Sequence, residues 1–91
     1  MALENLENLV RIDQLKAEPP DQAEFNGLVD SAKRRLKDTK IDALSEEGRF
    51  SLAYGAAHAL ALAALRWHGY RSENRYLVFQ CLQHTVNSVF V

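Results

Sequence analysis

The fold of this 91-residue chain is decided by residues 49–69, which read RFSLAYGAAHALALAALRWHG. Alanine and leucine are the strongest helix formers, and Gly69 is a natural stop. Almost no polar side chain interrupts the stretch from Leu52 to Leu65, and a helix that is apolar nearly all round is normally buried by other helices. We therefore expect a central helix over residues 46–68 that the other segments surround.

Small side chains recur at four-residue steps along this helix, in two rows. The rows are Gly55, Ala59 and Ala63, and Ala53, Ala57 and Ala61. Small residues let neighbouring helix axes approach to the short end of the usual range of about 8–10 Å. The larger apolar side chains between the two rows are Leu52, Leu60, Leu62 and Leu65. We expect more than one close neighbour, either two helices of this chain or one of them and a helix of a second subunit.

Three shorter helices are predicted around the central one. Leucines at three-residue steps from Leu3 to Leu9 indicate an amphipathic helix over residues 2–16, which Pro19 and Pro20 would close. This helix would cover part of the apolar surface of the central helix.

The second and fourth helices have start signals. Asp21, with Glu24 three residues later, is a capping-box-like start for a helix over residues 22–39. Ser72 is a fitting N-cap for a helix over residues 73–88. The whole chain is therefore predicted to be one domain, an all-α, antiparallel up-down bundle of about four helices.

The charge of the chain is nearly balanced, with a formal net charge of -1 and a pI of about 6.3. This balance argues against the global basic field that marks many nucleic-acid-binding proteins. Residues 1–30 carry seven acids and two bases, whereas residues 50–91 carry three arginines and one glutamate. An anion site is therefore expected in the second half.

We expect a cytoplasmic protein. The single cysteine, Cys81, cannot form an internal disulfide and suits a reducing compartment. The first residues contain no leader-like region, and the apolar run from Leu52 to Leu65 is shorter than the roughly 20 residues that span a bilayer. The apolar end, Val89-Phe90-Val91, favours a covering partner or a continuation of the chain.

One stretch resembles a known family. The run from Tyr54 to Arg71, an alanine-rich helix that ends in Gly69-Tyr70-Arg71, is similar to the middle of a HEPN domain, and the resemblance covers about residues 22–88. HEPN domains are helical bundles that commonly dimerise. Many are metal-independent ribonucleases, as toxins or RNA-processing modules, and others are nucleotide-binding or inactive companions of nucleotidyltransferases. The resemblance therefore implies a homodimer, a candidate nucleotide site and a candidate toxin–antitoxin role.

The sequence departs from the catalytic signature of that family, an arginine followed by a histidine after four to six residues. Arg71 has Arg75 after three intervening residues, and the next histidine is His84. Arg75 and His84 are nine positions apart, so at about 100° per residue they point to opposite sides of one helix. Acid–base cleavage needs a base and a cation that converge on one atom. The spacing argues against ribonuclease activity, for which Arg71 with His84 is the alternative pair.

An anion site is predicted instead around the turn after the central helix. The candidate residues are Tyr70, Arg71, Ser72, Asn74 and Arg75. The N-terminus of the fourth helix offers free amide groups and a favourable dipole to a phosphate. The structural alternative is that both arginines form salt bridges with the acidic first helix or with a partner.

Other polar side chains have structural interpretations as well. The basic face of the second helix, from Lys33 to Lys40, has the charge to contact a phosphate backbone, but a solvated surface is the favoured interpretation. Cys81 and His84 share a helical face but lack a second pair of ligands, so we expect no metal site. His58, one turn after Tyr54, is expected to be a hydrogen-bonded core residue or to line a cleft at a dimer seam.

The sequence thus predicts a non-catalytic or weakly nucleotide- or phosphate-binding interaction module that forms a homodimer through its third and fourth helices. A nucleotidyltransferase-type protein is a further candidate partner, RNA is a less favoured one, and neither a cofactor nor a membrane is expected. The alternative is a metal-independent ribonuclease of toxin or RNA-processing type.

Overall fold

The computed structural model of the protein describes residues 2–85, and this range forms four helices and a two-stranded ribbon. In chain order the elements are α1 (Ala2–Arg11), β1 (Lys16–Ala17), α2 (Gln22–Asp38), α3 (Glu46–Trp67), β2 (Tyr70–Arg71) and α4 (Arg75–Gln80). The all-α helical bundle predicted from the sequence is confirmed, and the short ribbon is an addition to it.

The helices α2 and α3 form an antiparallel hairpin, and a polar side chain caps each of them. The Asp21 carboxylate accepts hydrogen bonds from the amides of Ala23 and Glu24, and Ser45 Oγ accepts one from the amide of Gly48. These caps satisfy amide groups that have no partner inside a helix. They explain why the observed starts of α2 and α3 agree with the predicted ones.

Small side chains hold the two helices of the hairpin close together. Ala32 of α2 is buried against Ala56 and Ala59 of α3, and Leu28 packs beside them. Ala59 and Ala63 of the first predicted row are 3% and 2% exposed. This row therefore faces a neighbouring helix, as predicted.

The first helix ends at Arg11, five residues earlier than the predicted range of 2–16, because the chain turns before it reaches the prolines. Asp13 has a φ of 61°, and a right-handed helix cannot continue through this left-handed conformation. The amide of Leu15 then donates to the carbonyl of Leu9 at 3.2 Å. The predicted extent of the first helix is therefore wrong at its C-terminal end.

The segment after this turn forms β1, which pairs antiparallel with β2. Lys16 lies opposite Arg71. Gly69, just before β2, has a φ of 88°, which only glycine adopts without strain, so its predicted role as the stop of α3 is confirmed. The carbonyl of Gly69 accepts a hydrogen bond from the amide of Glu18 at 2.9 Å. The ribbon thus ties the N-terminal segment to the end of α3.

The main core lies where α1, α3, α4 and the residues before β1 meet. Its buried side chains are Leu6, Leu15, Ala61, Leu65, Val78 and Cys81. Burial raises the pKa of the Cys81 thiol, so this cysteine behaves as a small apolar core residue.

The central helix α3 is not enclosed on every side, contrary to the prediction. Leu65 is fully buried, whereas the Leu60 side chain is 43% exposed. In the second row of small residues Ala61 is buried, but Ala53 and Ala57 are exposed. The described residues therefore cover two faces of α3 and leave a third face open. No helix within residues 2–85 combines the length and the hydropathy that a membrane crossing requires.

The fourth helix begins at Arg75, two residues later than predicted. Its N-cap is Asn74, whose side chain accepts a hydrogen bond from the amide of Leu77 at 3.1 Å, and Ser72 is not the cap. Helical backbone returns over residues 82–85. The part of the predicted fourth helix that follows lies outside the described residues.

Replacing Ala59 by leucine should destabilise the fold, because the added side chain has no room between α2 and α3. Overpacking of this kind costs about 1–3 kcal/mol, which chemical denaturation would measure. Ala23→Leu is the control, since Ala23 is exposed in the first turn of α2 and should change the free energy of unfolding by about 0.5 kcal/mol or less. Equal stability of the two variants would mean that Ala59 does not lie in a tight interface.

Candidate functional site

The turn after α3, where the sequence predicts an anion site, holds a network of two arginines and two glutamates. Arg66, in the last turn of α3, is 1% exposed. It donates to the backbone carbonyls of Glu18 at 3.0 Å and Pro19 at 2.7 Å, and its Nε donates to the Glu24 carboxylate. Arg71 of β2 donates to Glu18 Oε2 at 2.8 Å and also to the Glu24 carboxylate. We call Glu18, Glu24, Arg66 and Arg71 the ion quartet.

The ion quartet balances its own charge, because each arginine pairs with both glutamates. Hydrogen bonds from Arg66 and then from Arg71 lower the pKa of Glu24. The hydrogen bonds that Arg71 donates to Glu24 and then to Glu18 raise the pKa of Arg71. The salt bridges considered as the structural alternative are therefore present for Arg71, with partners in α2 and in the segment before it rather than in the first helix.

Three other residues of the predicted anion site have local structural roles. Ser72 Oγ accepts a hydrogen bond from the amide of Asn74 at 3.1 Å, and Asn74 Oδ1 accepts one from the amide of Leu77 at 3.1 Å. Tyr70 is half-buried, and burial, followed by the charge of Glu7, raises the pKa of its hydroxyl. Side chains of the turn itself thus occupy amide groups that the prediction assigned to an anion.

The alternative ribonuclease pair lies in two different depressions of the surface. His84 Nδ1 lies 3.4 Å from Asn5 Nδ2 of α1, and the two residues line one depression. Arg71 lines another depression, beside β1. Cys81, which shares a helical face with His84, is buried in the main core. In the part of the chain that the structure describes, no three carboxylate, thiol or imidazole side chains are grouped to hold a metal ion.

Arg75, the fifth residue of the predicted anion site, lies apart from the other four. It lines a cleft of about 340 Å³ between α2, α3 and the start of α4. The cleft is lined by Arg35, Ser51, Leu52, Tyr54, Gly55, His58 and Arg75. We call it the arginine cleft.

Two guanidinium groups from different helices converge on the arginine cleft. Arg35, in the last turns of α2, donates from Nη1 to the carbonyl of Gly55 at 3.2 Å. The guanidinium carbon of Arg75 lies 6.0 Å from the centroid of the Tyr54 ring, which is within cation–π distance. No salt bridge between the described residues involves either arginine. The positive charge of this cleft is therefore not balanced as it is in the ion quartet.

His58 of α3 lines the same cleft, and its pKa responds to the positive charge there. Desolvation, and then the charges of Arg75 and Arg35, lower the pKa of His58, which favours the neutral form of the imidazole. Its ring packs edge-on against the Phe79 ring, with centroids 5.8 Å apart. His58 therefore lines a cleft, but this cleft lies between helices of one chain, so the dimer seam that the sequence interpretation included stays a prediction.

Sequence reasoning missed Arg35 as a site residue by assigning it to the solvated basic face of α2. The register of the α2–α3 hairpin is the signal that identifies it, since Arg35 falls opposite Gly55 just as Ala32 falls opposite Ala59. Arg35 lies directly against Gly55, so a side chain at this position would be in ordinary van der Waals contact with the arginine. A Cβ atom there would lie 3.4 Å from Arg35 Cδ.

Replacing Glu24 by glutamine should destabilise the protein at neutral pH, because the buried Arg66 guanidinium loses its charged hydrogen-bond acceptor. The expected loss is on the order of 2 kcal/mol, measured by chemical denaturation. Asp30→Asn removes an exposed acid from the same helix and should have little effect. Equal effects of the two substitutions would contradict a structural role of the ion quartet.

The same substitution should change how stability depends on pH. Because the folded state lowers the pKa of Glu24 from 4.5, the carboxylate contributes its full stabilisation above about pH 4.5 and loses it as the pH falls through the folded-state pKa. Thermal denaturation should therefore show a steeper loss of stability below pH 4.5 for the wild-type protein than for Glu24→Gln. Parallel pH profiles would mean that Glu24 does not carry this dependence.

Comparisons of the chain with protein-family models, curated proteins and solved structures found no match. The resemblance to HEPN domains therefore stays a prediction.

Proposed function

We propose that the protein is a non-catalytic helical module that binds phosphate-bearing ligands, nucleotides included, in the arginine cleft. The observation that carries the proposal is that Arg35 and Arg75 line one cleft while neither forms a salt bridge with a described residue. The ion quartet supplies the contrast, since Arg66 and Arg71 each pair with two glutamates there. A negatively charged ligand would balance the positive charge of the arginine cleft in the way that the glutamates balance the arginines of the ion quartet.

The chemistry of the cleft suits phosphate better than it suits a simple carboxylate. Each planar guanidinium can donate two parallel hydrogen bonds to an oxyanion, and two guanidinium groups match the several oxygens and charges of a phosphate chain. Neutral His58 adds a hydrogen-bonding ring nitrogen. The volume of about 340 Å³ lies near the lower end of the roughly 300–1,000 Å³ of small-molecule pockets.

An aromatic surface beside the arginines favours a nucleotide over inorganic phosphate. The Tyr54 ring lies under Arg75, and the Phe50 ring stacks on Tyr54 with centroids 6.3 Å apart. Phe50 is 73% exposed, so a face of this aromatic pair is accessible to a base, and base–aromatic stacking contributes about 1–3 kcal/mol. The HEPN resemblance implies the same ligand class.

A ribonuclease would use the same groups in another way, with His58 as the acid or base and the arginines stabilising the charge of the transition state. The observation that favours this alternative is that an imidazole and two guanidinium groups share one cleft. Incubation of RNA with the wild-type protein and with His58→Ala separates the two functions. Cleavage that is lost in His58→Ala would replace the binding module by a ribonuclease, whereas intact RNA agrees with the proposal.

Replacing Arg35 or Arg75 by glutamine should weaken the binding of ATP and of pyrophosphate by about tenfold. A charged hydrogen bond contributes about 1.5–3 kcal/mol, and 1.4 kcal/mol corresponds to a factor of ten in affinity. Isothermal titration calorimetry at low ionic strength would measure the change, and binding should weaken further with added salt.

Arg34→Gln is the matched control for this experiment. Arg34 is exposed on α2 next to Arg35 but does not line the cleft, so the variant loses the same charge without losing the site. Its affinity should stay within about twofold of wild type, because a distant exposed charge is screened. Absence of saturable binding to the wild-type protein, or an equal loss in all three variants, would contradict the proposal.

The titration of His58 should follow the charge of the cleft. In the ligand-free protein NMR should place the pKa of His58 below 6.5, and Arg75→Gln should move it upward because one source of repulsion is removed. Pyrophosphate in the cleft should also raise it, since the anion stabilises the imidazolium. Identical titration curves for wild type and Arg75→Gln would show that Arg75 does not act on His58.

A further inference from the structure

The imidazole of His58 differs from the other two imidazoles of the chain in its hydrogen bonding. His68 Nε2 lies 3.3 Å from the carbonyl oxygen of Thr85, and His84 Nδ1 lies 3.4 Å from Asn5 Nδ2. No hydrogen bond between the described residues involves the His58 ring. The ring nitrogens of His58 are therefore available to a ligand.

The Phe79 ring of α4 fixes the orientation of this imidazole. Phe79 packs edge-on against His58, with centroids 5.8 Å apart, and against Tyr54, with centroids 5.5 Å apart. His58 is half-buried, yet among the described residues no buried polar side-chain atom is left without a hydrogen-bond partner. The ring nitrogens of His58 are therefore not sealed in the interior, and they are open to the cleft that this residue lines.

The spacing along α3 puts His58 on the floor of the arginine cleft. Ser51, Gly55 and His58 lie four and three positions apart, so they share one face of the helix. Arg35 of α2 donates to the carbonyl of Gly55 at 3.2 Å, one turn before His58. Arg75 reaches the same cleft from the start of α4. One nitrogen-bearing side chain from each of three helices thus lines a single cleft.

The lining of the arginine cleft contains no carboxylate. Its charged or titratable side chains are Arg35 from α2, Tyr54 and His58 from α3, and Arg75 from α4. Asp38 and Glu73, the acids nearest in sequence to the two arginines, do not line it. Two guanidinium groups oppose a third positive charge while the cleft is empty, and a bound anion removes this opposition.

We propose that His58 is the specificity-determining residue of the arginine cleft. It takes up a proton as the ligand binds, and the resulting three cations select a terminal phosphate group over a phosphodiester. This inference rests on the proposed binding of phosphate and names the class of phosphate that the site takes.

The preference for a terminal phosphate follows from the number of donors and charges. A phosphate group attached through one oxygen has three free oxygens and close to two negative charges at neutral pH. A phosphodiester has two free oxygens and one charge. Arg35 and Arg75 alone can satisfy the two free oxygens of a diester, whereas a third oxygen needs a third donor. Protonated His58 supplies that donor and the additional positive charge.

The same coupling makes binding depend on pH. The pKa of His58 lies below its ordinary value of 6.5 in the empty cleft, and a bound anion raises it. The affinity is therefore highest below the ligand-free pKa and falls as the pH rises through the pKa of the complex. An opposite charge within about 4–6 Å shifts a pKa by about one to three, and a change of one in the pKa corresponds to about a factor of ten in affinity.

Sulfate and methanesulfonate are the probes that test this coupling. They carry two negative charges and one, respectively, and neither titrates near neutral pH, so a change of affinity with pH comes from the protein. NMR titrations at about pH 5.5 and about pH 7.5, on either side of the ordinary histidine pKa, would measure both affinities at constant ionic strength. Sulfate should bind the wild-type protein at least about tenfold more tightly at the lower pH. The gain for methanesulfonate should be smaller.

His58→Gln is the variant that removes the titration while keeping a polar side chain in the cleft. Its affinity for sulfate should change by about twofold or less between the two pH values, because the guanidinium groups stay charged throughout. His84→Gln is the matched control, since His84 lines a different depression, and its pH dependence should equal that of wild type.

The outcomes separate this inference from the proposed function. Equal sulfate affinity of the wild-type protein at both pH values would overturn the role of His58 and leave phosphate binding intact. The same would follow from an unchanged pH dependence in His58→Gln, or from an equal gain for sulfate and methanesulfonate. Absence of saturable sulfate binding at either pH would contradict the proposed function itself, and this inference with it.

Discussion

The burial of the Arg66 guanidinium is the constraint on which the arrangement of this chain depends. A charged group taken out of water is strongly destabilising unless each of its donors finds an acceptor. The acceptors come from separate segments: the carbonyls of Glu18 and Pro19 before α2, the carboxylate of Glu24 within α2, and the carbonyl of Tyr70 in β2 at 3.4 Å. One side chain thus fixes the ends of three elements relative to one another.

This arrangement also divides the arginines of the second half of the chain into two kinds. Arg66 and Arg71 are neutralised by the acids of the N-terminal segment, so the uneven distribution of charge along the sequence is compensated in space. Arg75, only four residues after Arg71, lies on the other side of the turn and lines the same cleft as Arg35. The compensation is incomplete in the arginine cleft, and a cation without an acid nearby can still gain free energy from an anionic ligand. This difference is the reason why we propose the arginine cleft, and not the ion quartet, as the binding site.

The hairpin of α2 and α3 could be predicted from the sequence because its boundaries are set by local chemistry. Asp21 starts α2 through its own side chain, and Gly69 ends α3 through its backbone conformation. Neither of them needs a distant contact. The end of α1 could not be predicted, since it depends on a left-handed turn at Asp13 that lets Leu15 enter the main core. The ribbon also escaped detection, because strands of two residues have no periodicity.

The candidate site was predictable only in part, for a related reason. The position of Arg75 after Gly69 identifies it as a candidate. Whether an arginine forms a salt bridge, however, depends on which carboxylates the fold brings near it. Arg66 and Arg35 illustrate this, since neither is among the predicted site residues and the sequence places Arg35 on a solvated surface. Residue type and spacing indicate which interactions a side chain can form. Whether an arginine is still free to bind a ligand depends on which carboxylates lie next to it in the folded protein.

The ribbon between β1 and β2 has a consequence for the order in which the protein folds. Lys16 and Arg71 pair across 55 positions of sequence, whereas α2 and α3 meet through a short connection. Loop-closure entropy rises with the length of chain that must be enclosed, and local contacts form faster than distant ones. The hairpin is therefore expected to form first. The N-terminal segment then docks onto it, and the pairing of β1 with β2 is the last step.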